Sequence, residues 1–156
     1  MTAVFQPKNA DYDTVVRDSF ARQPFMKEIG ARIELLEPGI CEIVVDWREG
    51  LTQQHGFFHG GLIATIADGA AGYASFSLFP ENSTVLTVDF NVKFLNPAQG
   101  SSLRARAEVM KTGRTLTISR TDVYAEDEGR SSHCLTGLFS MMCLMGKSDQ
   151  VNLGRK

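Results

Sequence analysis

Residues 53–76 read QQHGFFHGGLIATIADGAAGYASF, and how this stretch folds decides the architecture. Its apolar residues do not alternate, so a half-buried strand fits poorly. Alanine is frequent and the run is longer than an ordinary strand, which predicts a helix from about Gly60 to about Leu78. Such a helix is apolar on nearly every side and has to be enclosed by other elements. Gly69, Ala70, Ala71 and Gly72 carry little side chain, so a sheet can come close to its backbone. One residue resists this picture. Asp68 puts a carboxylate in the middle of the run, where it loses water and must be paired, hydrogen-bonded or raised in pKa.

On the N-terminal side, NADYDTVVRDSFARQ (9–23) has acids early, arginines late and apolar Val15, Val16 and Phe20, the pattern of a short amphipathic helix. ARIELLEPGICEIVVDW (31–47) reads as two strands about the Pro38-Gly39 turn. On the C-terminal side the period becomes two. In LTVDFNVKF (86–94), Val88, Phe90, Val92 and Phe94 are predicted to face one way and Thr87, Asp89, Asn91 and Lys93 the other. SLRARAEV, TLTISRTDVY and HCLTGLFSMMCLM supply three more strands, joined by NPAQG, KTGR and EDEGR. The last strand is apolar on both faces, as if one met the helix and the other a further surface.

The predicted order is α-β-β-α-β-β-β-β, an α+β domain with a curved antiparallel sheet around one buried helix. Short connections make the last four strands antiparallel neighbours in sequence order. Residues 1–24 form a lead-in with the N-terminal helix, 25–146 the domain, and 147–156 a flexible tail.

The chain's 156 residues suit one domain, with 43% apolar and 22% charged residues. A net charge of −2 with scattered basic residues gives no footprint for nucleic acid or an anionic membrane. Asp68 and the glycines keep residues 60–79 below a convincing membrane span. The N-terminus lacks the pattern of a secretory signal. Cys41, Cys134 and Cys143 form no CxxC pair, which fits a reducing cytoplasm. His55 and His59 lack a third ligand, so no metal is expected. No GxSxG or GxGxxG motif is present, which leaves a serine-hydrolase elbow and a dinucleotide site unsupported. Phe57, Phe58, Tyr73 and Phe76 read as core rather than as the lining of an acyl tunnel.

His59-Gly60-Gly61 complements Asp68. Glycines opening a helix offer orphan N–H donors in a positive end potential, open to the close approach of a ligand oxygen. Such donors stabilise a developing oxyanion. Gly60 and Asp68 are separated by ~12 Å along one helix at ~1.5 Å per residue. A base and an oxyanion donor serving one reaction must both lie within about 3 Å of the reacting group or its water. Two antiparallel copies of the helix meet that condition, and one copy does not. A single site therefore implies a homodimer.

HGGLIATIAD, with Gln53 six residues before His59, resembles the acidic-residue motif of hotdog-fold acyl-CoA thioesterases of the phenylacetyl-CoA thioesterase type. The likeness continues through LTVDFNVKFLNPA and KTGRTL and covers about residues 25–145. It implies a sheet wrapped around a central helix, in dimers and often tetramers. By position, it implies that Asp68 is the catalytic carboxylate, as base or nucleophile, and that Gly60 N–H polarises the thioester carbonyl. Gln53 would orient water or the carbonyl, Thr87 would assist the acid, and His59 would fix the loop. Gly61, Asp89 and Phe94, with Lys111, Thr112, Gly113, Arg114 and Thr115 of the hairpin turn, would contact substrate or coenzyme A. No cofactor is implied, since coenzyme A is part of the substrate. A hydratase or dehydratase on acyl thioesters and a non-catalytic acyl-CoA-binding module are the rival readings.

Overall fold

The computed structural model describes residues 4–150. Residues 151–156, most of the tail expected to be flexible, lie outside them. Helices α1 (Tyr12–Ala21) and α2 (Pro24–Glu28) precede strands β1 (Arg32–Glu37) and β2 (Ile40–Asp46). Helix α3 (Gly60–Phe76) follows, then β3 (Ser83–Phe94), β4 (Ser102–Thr112), β5 (Leu116–Asp127) and β6 (Arg130–Met145). The expected elements are present, with the short α2 added.

Six strands form one antiparallel sheet in the order β1-β2-β4-β5-β6-β3. It curves around α3, whose buried face includes Ile63, Ile66, Ala67, Ala70, Ala71 and Ala74. Ile43, Leu103, Val123, Leu135, Phe139 and Met141 belong to the same buried core. Glycine at position 69 permits this approach, because a Cβ there would lie 2.8 Å from Met26 Cε and 3.3 Å from Ile43 Cδ1. Polar groups inside the wrap are paired: Ser75 Oγ lies 2.9 Å from Ser119 Oγ, and Ser77 Oγ accepts from Gly39 N–H at 2.8 Å.

Two expectations are corrected. β3 pairs with β6 rather than with β4, so the last four strands are not neighbours in sequence order. The connection 95–101 crosses about three strand spacings, ~14 Å. Seven extended residues reach ~23 Å, so a short loop does not oblige its strands to pair. β6 is long enough to pair along both sides, and β3 becomes a sheet edge.

The simple alternation expected for β3 also fails. A β-bulge between Thr87 and Asp89 inserts Val88 as an extra residue, so Thr87 pairs with Met141 and Phe90 with Phe139. Both partners are buried on the helix side. Thr87 therefore shares the inner face with Phe90, Val92 and Phe94, while Asp89 shares the opposite face with Ser140. Bulges commonly re-aim a side chain in this way.

Near the end of the described residues, Asp149 is tied back to the fold. Arg22 donates to its carboxylate at 2.6 Å and to its carbonyl at 2.8 Å, and Thr84 Oγ1 donates at 2.6 Å.

Candidate active site

Helix α3 starts at a fixed point because the loop before it is tied on both sides. Phe58 N–H donates to Ala98 C=O and His59 N–H to Leu51 C=O, each at 3.0 Å. His59 is the N-cap, with Nδ1 accepting from Gly61 N–H at 2.9 Å. A Cβ at position 61 would sit 3.0 Å from that nitrogen, so the cap depends on glycine there. Leu62 and Ile63 N–H both donate to His59 C=O, at 3.0 and 3.2 Å. Of the first four N–H groups of the helix, Gly60's alone has no acceptor among the described residues. It points into the positive end of the helix dipole, where an anionic oxygen is favoured. A Cβ at Gly60 would be 3.5 Å from the Phe94 ring, an ordinary contact, so Phe94 borders this corner without filling it.

Two turns along the helix, Asp68 is half-buried and its Oδ1 accepts from Thr87 Oγ1 at 2.8 Å. Burial raises its pKa above the ordinary carboxylate range, and the Thr87 hydrogen bond partly opposes that rise. A carboxylate shifted toward neutral pH is a better proton acceptor than an ordinary surface acid. The β3 bulge makes the pair possible by turning the hydroxyl toward α3. Asp68 also lines a cavity of about 110 Å³ between α3 and β3, with Gln23, Gly69, Gly72, Tyr73, Val85 and Thr87.

The hydrogen bond from Thr87 favours the ionised acid, so its loss raises the Asp68 pKa further. Thr87→Val is therefore expected to move the acid limb of the kcat/KM–pH profile to higher pH. A limb that stays in place, or moves down, would contradict the role given to this hydroxyl.

The structure brings together Asp68 with Thr87, and His59 with Gly60, Gly61 and Phe94. It does not bring those two groups together within one protomer, because both sit on the same straight run of helix. Gln53 Oε1 accepts from His55 N–H, and its backbone closes a tight turn with Gly56 and Phe57. Asp89 lies on the sheet face opposite Thr87. Lys111, Gly113, Arg114 and Thr115 are exposed in the β4–β5 hairpin, which Gly113 N–H closes onto Leu116 C=O at 2.8 Å. Thr112 Oγ1 lies 3.1 Å from Thr117 Oγ1. Through the pairs Thr112–Thr117–Met141–Thr87, this hairpin stands level with Asp68, about 14 Å away across three strands.

The His59 ring is oriented by its cap, through Nδ1. Among the described residues no group of three His, Cys, Asp or Glu could hold a metal ion. Among the described residues no helix is long and apolar enough to cross a membrane. The three cysteines are buried free thiols, and burial pushes Cys41 up to about 12.

The sequence reading did not include Gln23, Gly72 or Val85 among the site residues, and it took Tyr73 as plain core. Gln23 sits in the lead-in segment, 45 positions before Asp68 in the chain. No local motif joins the two.

Residues 55–132 match the model of the thioesterase superfamily. A thioesterase family protein from Silicibacter pomeroyi is 50% identical in sequence and has a TM-score of 0.85, over 86% of this chain and 99% of that one. The PaaI protein of the E. coli phenylacetic acid degradation operon shares the fold, with a TM-score of 0.79 at 16% identity over 90% of this chain and 98% of that one. Acyl-coenzyme A thioesterase 13 of Mus musculus is 30% identical over 92 residues, which are 58% of this chain and 64% of that enzyme. The chain thus spans somewhat less than two thirds of that curated relative's length. The architecture is the hotdog fold that the resemblance implies.

Proposed function

The chain belongs to the thioesterase superfamily, and from that premise we propose that it hydrolyses an acyl- or arylacyl-CoA thioester to the carboxylic acid and free coenzyme A. The working unit is a homodimer in which Asp68 of one protomer faces Gly60 of the partner subunit. The observation that carries this reading is the pairing of two unfulfilled groups: a half-buried acid held by Thr87, and one N–H without an acceptor at the glycine end of the same helix.

Asp68 takes a proton from a water molecule as the water oxygen attacks the thioester carbonyl carbon. The carbonyl π electrons move onto oxygen, and Gly60 N–H of the partner subunit stabilises that oxyanion. As the carbonyl re-forms, the C–S bond breaks and coenzyme A leaves as thiolate, which recovers the proton from Asp68. In the nucleophilic variant of the scheme the carboxylate attacks first, and water then cleaves the resulting anhydride. Neither route needs a cofactor or a metal.

Assembly through β3 is supported by what that edge strand exposes. Val88, Phe90 and Phe94 are each about half exposed, an apolar edge that invites pairing with another chain. Leu86, Leu116 and Leu138 are half exposed on the opposite face of the sheet, which favours a further pairing of dimers into a homotetramer. Three unpaired cysteines suit the cytoplasm. The exposed side chains of Lys111 and Arg114 at this hairpin suit a phosphate of coenzyme A, and neither nucleic acid nor a membrane enters the scheme.

Thiol release from a panel of acyl-CoA thioesters tests the reading. Turnover of at least one of them is expected, whereas hydration of an enoyl-CoA without thiol release would transfer the site to the hydratase class. Tight binding with no product of either kind would make it a binding module.

A further inference from the structure

The cavity that Asp68 lines is too small to hold the whole substrate proposed above, and its place beside the acid indicates which part it holds. Pockets that enclose a whole small molecule are ~300–1,000 Å³, and this one is about 110 Å³. The pantetheine arm of coenzyme A is long and must run outward to the nucleotide. The other substituent of the carbonyl is the acyl chain, whose first atoms lie within a few ångströms of any carbonyl that Asp68 can serve.

Two of the cavity's lining residues, Gln23 and Tyr73, are tied to each other. Gln23 Nε2 donates to Tyr73 Oη at 2.7 Å, and Ser19 Oγ lies 3.4 Å from the same oxygen. The Tyr73 ring is held edge-on to Phe20 of α1 at 5.6 Å. This wall is therefore fixed by helix α1, outside the sheet and the central helix.

The side of the chamber is formed by a glycine that packing does not demand. A Cβ on Gly72 would meet nothing within 4 Å, whereas one on Gly69 would strike Met26. Glycine is the poorest helix former after proline, so its presence in the middle of α3 at position 72 keeps this space open.

Resting on the thioesterase reading, we infer that the chamber receives the end of the acyl group, that Gly72 keeps it open and that the Gln23–Tyr73 pair limits its length. At ~30 Å³ for each small liquid molecule, the volume accommodates about four heavy atoms beyond the carbonyl, less than the ~150 Å³ cavity that takes benzene. The preferred substrates are short-chain acyl-CoA thioesters, of the butanoyl to hexanoyl class.

The test is the kcat/KM profile over acetyl-, butanoyl-, hexanoyl-, octanoyl- and dodecanoyl-CoA, for the full chain and two variants. Wild type is expected to peak at butanoyl or hexanoyl and to fall at least roughly tenfold by dodecanoyl. Gly72→Val fills the chamber and moves the peak to a shorter chain. Gln23→Ala opens the wall and moves it to a longer one. Circular dichroism melting establishes that each variant is folded, and the opposed directions separate a pocket effect from general damage. A wild-type profile that is flat to dodecanoyl, or variants that keep the wild-type profile, would overturn this inference and leave the thioesterase reading intact. No thiol release from any member of the panel would instead defeat that reading, and this inference with it.

Discussion

The Asp68→Asn variant is expected to lose roughly 10²–10⁴-fold in kcat, the range over which a positioned general base contributes. Asparagine retains the shape of the side chain and an oxygen to accept the Thr87 hydroxyl, which the acid now accepts at 2.8 Å. It has no basic oxygen to take a proton from water. The loss is thus assigned to chemistry and not to packing, and size-exclusion chromatography should show the wild-type oligomer. Thermal melting adds an independent check. Burial raises the Asp68 pKa, so the folded protein holds that proton more tightly than the unfolded chain. Stability from this group is complete below the ordinary carboxylate range and is lost as pH rises through the raised value. Asparagine has no such loss, so the variant should melt higher than wild type at neutral pH, with the advantage vanishing in acid. Near-normal hydrolysis by Asp68→Asn would remove the acid from the mechanism.

Gly60→Pro tests the other half of the site, and the expected cost is roughly 10²–10³-fold in kcat, the effect of losing one oxyanion donor. Proline at the first helical position is well tolerated because its missing N–H is an orphan there in any case. His59, at φ −64° and ψ 134°, already has the backbone that precedes proline comfortably. A Cβ at position 60 meets only the Phe94 ring, at 3.5 Å. The substitution therefore removes a single hydrogen-bond donor with little disturbance to the helix. Melting temperature should hold while turnover collapses. Activity that survives in a folded Gly60→Pro enzyme would mean that another group binds the developing oxyanion.

Residues 60–76 and their acid were legible in the sequence because an enclosed helix leaves a composition no strand shares, and because a carboxylate in that company has to be explained. The glycine pair was legible for a related reason, since only a helix start makes consecutive glycines useful before an alanine-rich run. Strand pairing was less legible. NPAQG has the composition of a tight turn, yet what decides the partner of β3 is the long β6 and its buried Phe139 and Met141, far along the chain. The bulge at Val88 was hidden because inserting one residue leaves the local alternation looking regular on either side. Gln23 and Tyr73 were missed as a pair, since their contact is tertiary and each alone reads as ordinary surface or core.

Everything rests on two protomers sharing one cavity, and subunit mixing addresses that directly. Asp68→Asn and Gly60→Pro chains, each nearly inactive alone, are denatured and refolded together in equal amounts. In a two-fold dimer with shared sites, every mixed dimer combines an intact Asp68 with an intact Gly60 at one of its two sites. With half of the dimers mixed, activity should recover to about one quarter of wild type. Activity no greater than that of the two variants refolded separately would show that acid and donor do not meet across an interface.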